Sequence, residues 1–140
     1  MKLTLKLFAL ALIIFISSCK KEDNLRREKM ALLTAGGWRT TKVEQNSVTG
    51  TWVDVTGTRT STSADDLLIF YGTGEYIIDE GPTKEPSNAQ VSNYGTWTFT
   101  DSGKKIKIID GNLMDILELS NKKLVVAIES ISQRYTFERP

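Results

Sequence analysis

Hydrophobic positions along the chain change period at residue 38. Over 26–34 (RREKMALLT) they recur at helical spacing, with Met30, Leu32 and Leu33 able to share one side. That spacing predicts a short helix, with Gly36-Gly37 as its stop. From Trp38 the period falls to two. In Gly95-Thr96-Trp97-Thr98-Phe99-Thr100 the aromatics take one face and the threonines the other. Lys105-Ile106-Lys107-Ile108 alternates in the same way, Leu124, Val126 and Ile128 form one stripe, and Tyr135 and Phe137 form another. Alternation of this kind marks strands with one buried and one wet face, which belong to antiparallel sheets.

The predicted strands are 38–45, 50–57, 66–71, 74–79, 93–100, 104–110, 114–120, 124–130 and 133–138. The short connections Tyr71-Gly72-Thr73-Gly74, Asp101-Ser102-Gly103-Lys104, Asp110-Gly111-Asn112 and Ser120-Asn121-Lys122-Lys123 are rich in hairpin-turn residues. One connection, Glu80 to Ser92, is longer and holds Gly81, Pro82, Pro86, Ser87 and Asn88, which predicts an ordered loop or lid. No solenoid-length repeat or second domain is visible. Nine or so strands joined mostly by hairpins close most economically into an up-and-down antiparallel β-barrel, since closure removes exposed edges. The fold expectation is therefore all-β, a barrel of 8–9 strands with a short N-terminal helix, over residues 30–140.

Ahead of the helix lies a different segment. Lys2 and Lys6 precede a ten-residue apolar run from Leu7 to Ile16, and Ser17 and Ser18 follow. This is the layout of a secretory signal peptide. The run is shorter than the roughly 20 residues a membrane-crossing helix requires. Ile16-Ser17-Ser18-Cys19 resembles the bacterial lipobox, which implies a signal peptide over 1–18, lipidation of the Cys19 thiol, and acylation (palmitate or a similar chain) of its new amino terminus. Each buried acyl CH₂ contributes about 0.8 kcal/mol, and stable anchoring takes more than one chain. Residues 19–29 then read as lipidated cysteine and tether. Lys20 after the cysteine departs from the inner-membrane retention pattern of enterobacteria, so an outer-membrane address is expected. The stretch Lys20-Lys21-Glu22-Asp23-Asn24 resembles the export signal of Bacteroidetes surface lipoproteins, which leaves surface and periplasmic display as alternatives.

Composition then narrows the chemistry. The chain has 140 residues, no histidine and one cysteine. Without histidine, Ser-His-Asp and Cys-His catalysis and histidine metal sites are excluded. The lone cysteine makes neither an internal disulfide nor a zinc cluster. With 18 basic and 17 acidic side chains, a broad phosphate-binding surface is not expected, nor a nucleic-acid partner. Cleavage after residue 18 would remove two lysines and turn the formal charge of +1 into −1.

The order of the segments resembles the lipocalin-like lipoprotein domains common in Bacteroidetes. Leu32-Leu33-Thr34-Ala35-Gly36-Gly37-Trp38-Arg39 is similar to the helix followed by G-x-W that opens lipocalins. Asp66-Leu67-Leu68-Ile69-Phe70 through Gly74-Glu75-Tyr76 resembles the family's D…F…G-x-Y hairpin. It runs on into Asp79-Glu80-Gly81-Pro82-Thr83-Lys84, close to DEG-x-TK, and Tyr94-Gly95-Thr96-Trp97-Thr98-Phe99 matches the GTW strand. Many relatives carry cysteines before the first hairpin strand and after the TK. Here Ser61–Asp66 and Lys84–Pro86 hold no thiol, so a staple of roughly 2–4 kcal/mol is absent and a more mobile loop is expected. Lipocalins also stack a late arginine over the opening tryptophan, a part open to Arg134 or Arg139 opposite Trp38.

The resemblance implies a non-enzymatic envelope protein that binds a small apolar or amphipathic ligand. The alternative is an accessory module docking an envelope protein through the barrel mouth or the 80–92 loop. Candidate ligand-lining residues are Trp38, Phe70, Tyr76, Trp97, Phe99 and Tyr135. Small barrels fill themselves with such side chains, so core is the competing role for most of them. Phe137 belongs to the same aromatic set, whereas Trp52 sits beside a hairpin turn, where an exposed aromatic would suit a barrel mouth or partner surface. The carboxylates Asp79, Glu80 and Glu85 lack a calcium-loop spacing, and Asp65-Asp66 with a distant acid such as Glu118 is a weak catalytic pairing. Gly72-Thr73-Gly74 lies between strands, not before a helix, and makes no phosphate loop. No metal or cofactor is called for.

Overall fold

The computed structural model describes residues 22–84, 86–109 and 111–140; the signal peptide expected over 1–18, Cys19 and Glu85 lie outside them. Among the described residues the chain forms one α-helix, α1 (22–34), followed by nine strands. These are β1 (Trp38–Asn46), β2 (Trp52–Asp54), β3 (Leu67–Phe70), β4 (Glu75–Asp79), β5 (Val91–Thr100), β6 (Lys105–Ile108), β7 (Leu113–Leu119), β8 (Lys123–Ile128) and β9 (Gln133–Glu138). All neighbouring strands pair antiparallel, and β9 returns to β1, with Thr40 opposite Phe137 and Val43 opposite Tyr135. The result is a closed eight-stranded lipocalin-like β-barrel with β2 appended to the far end of β1.

The strand predicted over 50–57 shrinks to three residues. The Asp54 carboxylate accepts from the Thr56 N–H at 2.9 Å and turns the backbone out of the sheet into a 3₁₀ turn at Thr56–Thr58. That turn serves β1, whose edge pairs with β3 only at Trp38 and Arg39 and with β2 only from Glu44 onward. Between them, Val55 N–H donates to the Val43 carbonyl (2.8 Å), Val43 N–H donates to Thr56 Oγ1 (2.9 Å), and Arg59 Nη1 donates to the Thr40 carbonyl (3.2 Å). A loop thus supplies the hydrogen bonds a strand would have made.

Helix α1 starts earlier than its hydrophobic spacing suggests, taking in residues 22–25 that read as tether. Its early residues are exposed and charged, a composition compatible with helix. Met30 and Leu33 pack on the barrel core. The two glycines after the helix do not act as left-handed caps, since neither has positive φ. A Cβ on Gly37 would lie 3.2 Å from Leu67 Cβ, so close packing on β3 is what requires glycine there. The helix end is capped by side chains instead. Trp38 Nε1 donates to the Leu33 carbonyl at 2.9 Å, and Arg139 Nη2 donates to the Leu32 carbonyl. The Arg139 guanidinium lies 4.3 Å from the centre of the fully buried Trp38 ring. Of the two arginines open to that part, the fold selects Arg139; Arg134 lies over Trp52 at 4.7 Å and bonds Glu44 at 2.8 Å.

The long loop is tied down without a thiol. Thr83 N–H donates to Asp65 Oδ2 at 3.0 Å, and the Thr83 hydroxyl donates to Asp65 Oδ1. Asp79 Oδ1 accepts from Gly81 N–H (2.9 Å) and Gln90 Nε2 (2.6 Å). Gly81 has φ +65°, and a Cβ there would lie 2.5 Å from Asp65 Oδ2, so the position admits only glycine without displacement. The Asp65–Thr83 contact joins the two neighbourhoods that a disulfide would have stapled.

Candidate functional site

The barrel interior is divided by height. At the end closed by α1, alternation aims Trp38, Phe70, Phe99, Ile106, Leu124 and Phe137 inward, and all are buried. Trp97 lies edge-on to Phe70 and to Phe99, at 5.3 and 5.2 Å between ring centres. Its Nε1 donates to the Glu75 carbonyl at 2.9 Å and the Tyr71 carbonyl at 3.1 Å, which locks the β3–β4 hairpin against β5. These side chains plug the lower half as a packed core.

The upper half is not filled. An open cleft of about 880 Å³ is lined on its inner side by Leu68, Tyr76, Ile78, Ile108, Met114 and Ile128. It opens through the wall as well as at the mouth, because β5 pairs with β6 only over Trp97–Thr100. Above that, residues 91–95 have no strand partner on the β6 side. Exposed Tyr94 and Ile109 lie around this opening. A second recess of about 190 Å³ sits under the β1–β3 seam, lined by Thr40, Arg59, Asp66, Tyr135 and Phe137. It shares Leu68 and Ile78 with the larger cleft, and the two neighbouring spaces are together called the cup.

The polar groups cluster in the recess. Asp66 precedes β3 on the same face as Leu68 and Phe70. Burial, followed by the nearby Glu80 charge, pushes its carboxyl above the usual range, against the opposing pull of Arg59. Burial likewise raises the Tyr135 phenol, whose hydroxyl donates to Gln133 Oε1. Cups that are mostly apolar with a few convergent polar groups are the usual form of small-molecule sites.

Of the six sequence-predicted lining residues, the structure places Tyr76 and Tyr135 on the cup and Trp38, Phe70, Trp97 and Phe99 in the plug. Asp65 and Asp79 spend their oxygens on the loop, and Glu118 is ion-paired with Lys123 at 2.8 Å on the outer wall, so Asp65-Asp66 and Glu118 form no pair. The lining residues that sequence reasoning passed over are Leu68, Ile78, Ile108, Met114, Ile128, Arg59 and Asp66. The aliphatic ones are visible in the alternation as inward positions, but nothing in it reports their height in the barrel.

No family model, curated protein or solved structure matches the chain. Among the described residues no three histidine, cysteine or acidic side chains converge as a metal site, and no helix is long and apolar enough to cross a membrane.

Proposed function

We propose that this protein is a non-enzymatic, lipid-anchored binding module of the bacterial cell envelope that holds one small apolar or amphipathic molecule in the upper barrel. The observation that carries the reading is the half-filled interior, an apolar cup above a solid aromatic plug. A barrel needing only stability would extend the plug upward, because each buried CH₂ contributes about 0.8 kcal/mol. The anchor rests on the lipobox resemblance at Ile16-Ser17-Ser18-Cys19.

Two experiments test the parts separately. The soluble form from residue 20 should bind the neutral fluorophore N-phenyl-1-naphthylamine, and Ile78→Trp, which fills the wall shared by cleft and recess, should abolish binding without unfolding the barrel. Unchanged binding in that variant would refute the cup. In cells, the chain should incorporate radiolabelled palmitate and Cys19→Ser should not; protease shaving then separates surface from periplasmic display.

The wall opening favours a second reading. Tyr94 is 77% exposed and lines the opening with exposed Ile109, a hydrophobic rim that an envelope protein could cover. Cross-linking in intact cells from a photoreactive group at position 94 discriminates this reading, since a ligand-only module gives no adduct with another protein.

A further inference from the structure

The polar recess also sets which end of the molecule goes in and what chemistry it bears. We infer that the cup takes an amphipathic molecule head first, a hydrogen-bond-donating and preferentially cationic head group lying beside Asp66 while its apolar body lies along Leu68, Ile78 and Met114. This rests on the small-molecule reading above and adds the ligand class to it.

Three features of the recess converge. Asp66 Oδ1 is buried and has no hydrogen-bond partner among the described residues. A buried orphan acceptor is costly, and an ionised carboxylate accepts only, so it calls for a donor. Rotation about the soft Cβ–Cγ bond brings either oxygen to the recess. Arg59 does not meet that need. Its Nη1 and Nη2 donate to the Thr40 and Ser63 carbonyls, and it makes no ion pair with Asp66. The Tyr135 hydroxyl donates its hydrogen bond to Gln133 Oε1, which leaves that oxygen with accepting capacity alone. Two of the Arg59 N–H groups are thus held by carbonyls while the Asp66 Oδ1 acceptor stays open.

The surrounding charge points the same way. Glu80, Asp65 and Asp79 all add negative potential at Asp66, against Arg59 alone in the other direction. A carboxylate head would meet that potential unfavourably; an ammonium would satisfy both the field and the open acceptor. Leu68 and Ile78 line both the recess and the cleft, so a molecule with its head at Asp66 has those two apolar side chains against its body.

The test is a head-group series on one tail. Dodecylamine, dodecanol and dodecanoate, each below its micelle threshold at pH 7, are titrated against bound N-phenyl-1-naphthylamine. Dodecylamine should displace the probe at about tenfold lower concentration than dodecanoate, the usual gap between charge-assisted and unassisted hydrogen bonds. Dodecanol should fall between them. Asp66→Asn keeps the shape and removes the charge, and should collapse the series to within about twofold. Equal potency on the unmutated protein, or a ranking that survives Asp66→Asn, overturns the inference and leaves the cup standing. Failure of the fluorophore and all three compounds to bind overturns both. Should Asp66→Asn not fold, the ranking on the unmutated protein decides alone.

Discussion

Arg139, the penultimate residue, should contribute disproportionately to stability. Arg139→Ala removes its stack on a Trp38 ring that is 0% exposed, its bond to the Leu32 carbonyl at the end of α1, and a 2.7 Å bond to the Asn121 carbonyl. A desolvated cation–π contact contributes up to about 2 kcal/mol. A hydrogen bond from a charged donor adds about 1.5–3 kcal/mol where it is part-buried, as at Leu32, and less where it is exposed, as at Asn121. The contacts share one side chain and do not add fully, so truncation should cost about 2–4 kcal/mol. For a domain of this size that is a fall in melting temperature of roughly 8–15 °C. Arg139→Lys should recover less than half, because a lysine lacks the planar fork that stacks and bonds at once. Thermal melting by circular dichroism reads the first effect. Hydrogen exchange of the α1 amides reads the second, since a helix that loses a C-terminal cap and a favourable charge there should open more often. A melting shift under about 2 °C, or unaltered α1 protection, would refute the view that Arg139 closes the barrel floor.

The other predictions concern the loop and the ionisable groups. Gly81→Ala puts a side chain at φ +65° and into Asp65, costing about 1–3 kcal/mol locally; faster trypsin cleavage after Lys84 with a small change in global melting is the expected result. Asp66→Asn should leave melting at pH 7 unchanged or raise it, because a carboxyl whose folded pKa is raised favours the fold only below its unfolded pKa and loses that contribution as pH rises through the folded one. A fall at pH 7 would contradict this. Glu44 runs the other way. Its bonds to Arg134 and Lys42 lower its pKa, so its contribution is present above about pH 4.5 and is lost as pH falls through the folded value. Glu44→Gln should therefore flatten the melting-versus-pH curve between neutral pH and about pH 3, and an unchanged slope would contradict it.

Local pattern carried most of the architecture. Period-two alternation sets which face each strand buries, hairpin turns set which strands are neighbours, and closure follows because an up-and-down sheet of this length otherwise leaves two unpaired edges. Misjudged elements are those decided by side chains reaching back to the backbone. Asp54 ends β2 early, and Trp38 and Arg139 cap α1 in place of a left-handed glycine. Aspartate, tryptophan and arginine do not announce such targets in a sequence.

The site was legible in composition and not in position. Aromatic residues in a barrel domain identify an apolar interior, but whether a given one plugs or lines depends on how far up its strand it sits and on what faces it across the barrel. Trp38, Phe70, Trp97 and Phe99 belong to the buried cluster that fills the floor; Tyr76 and Tyr135 are only partly buried and line the cleft and the recess. The periodicity of a strand records inside against outside and carries no coordinate along the barrel axis. The β1–β9 closure and the recess around Asp66 come from pairing between residues far apart in the chain. Those pairings exist only once the sheet has closed.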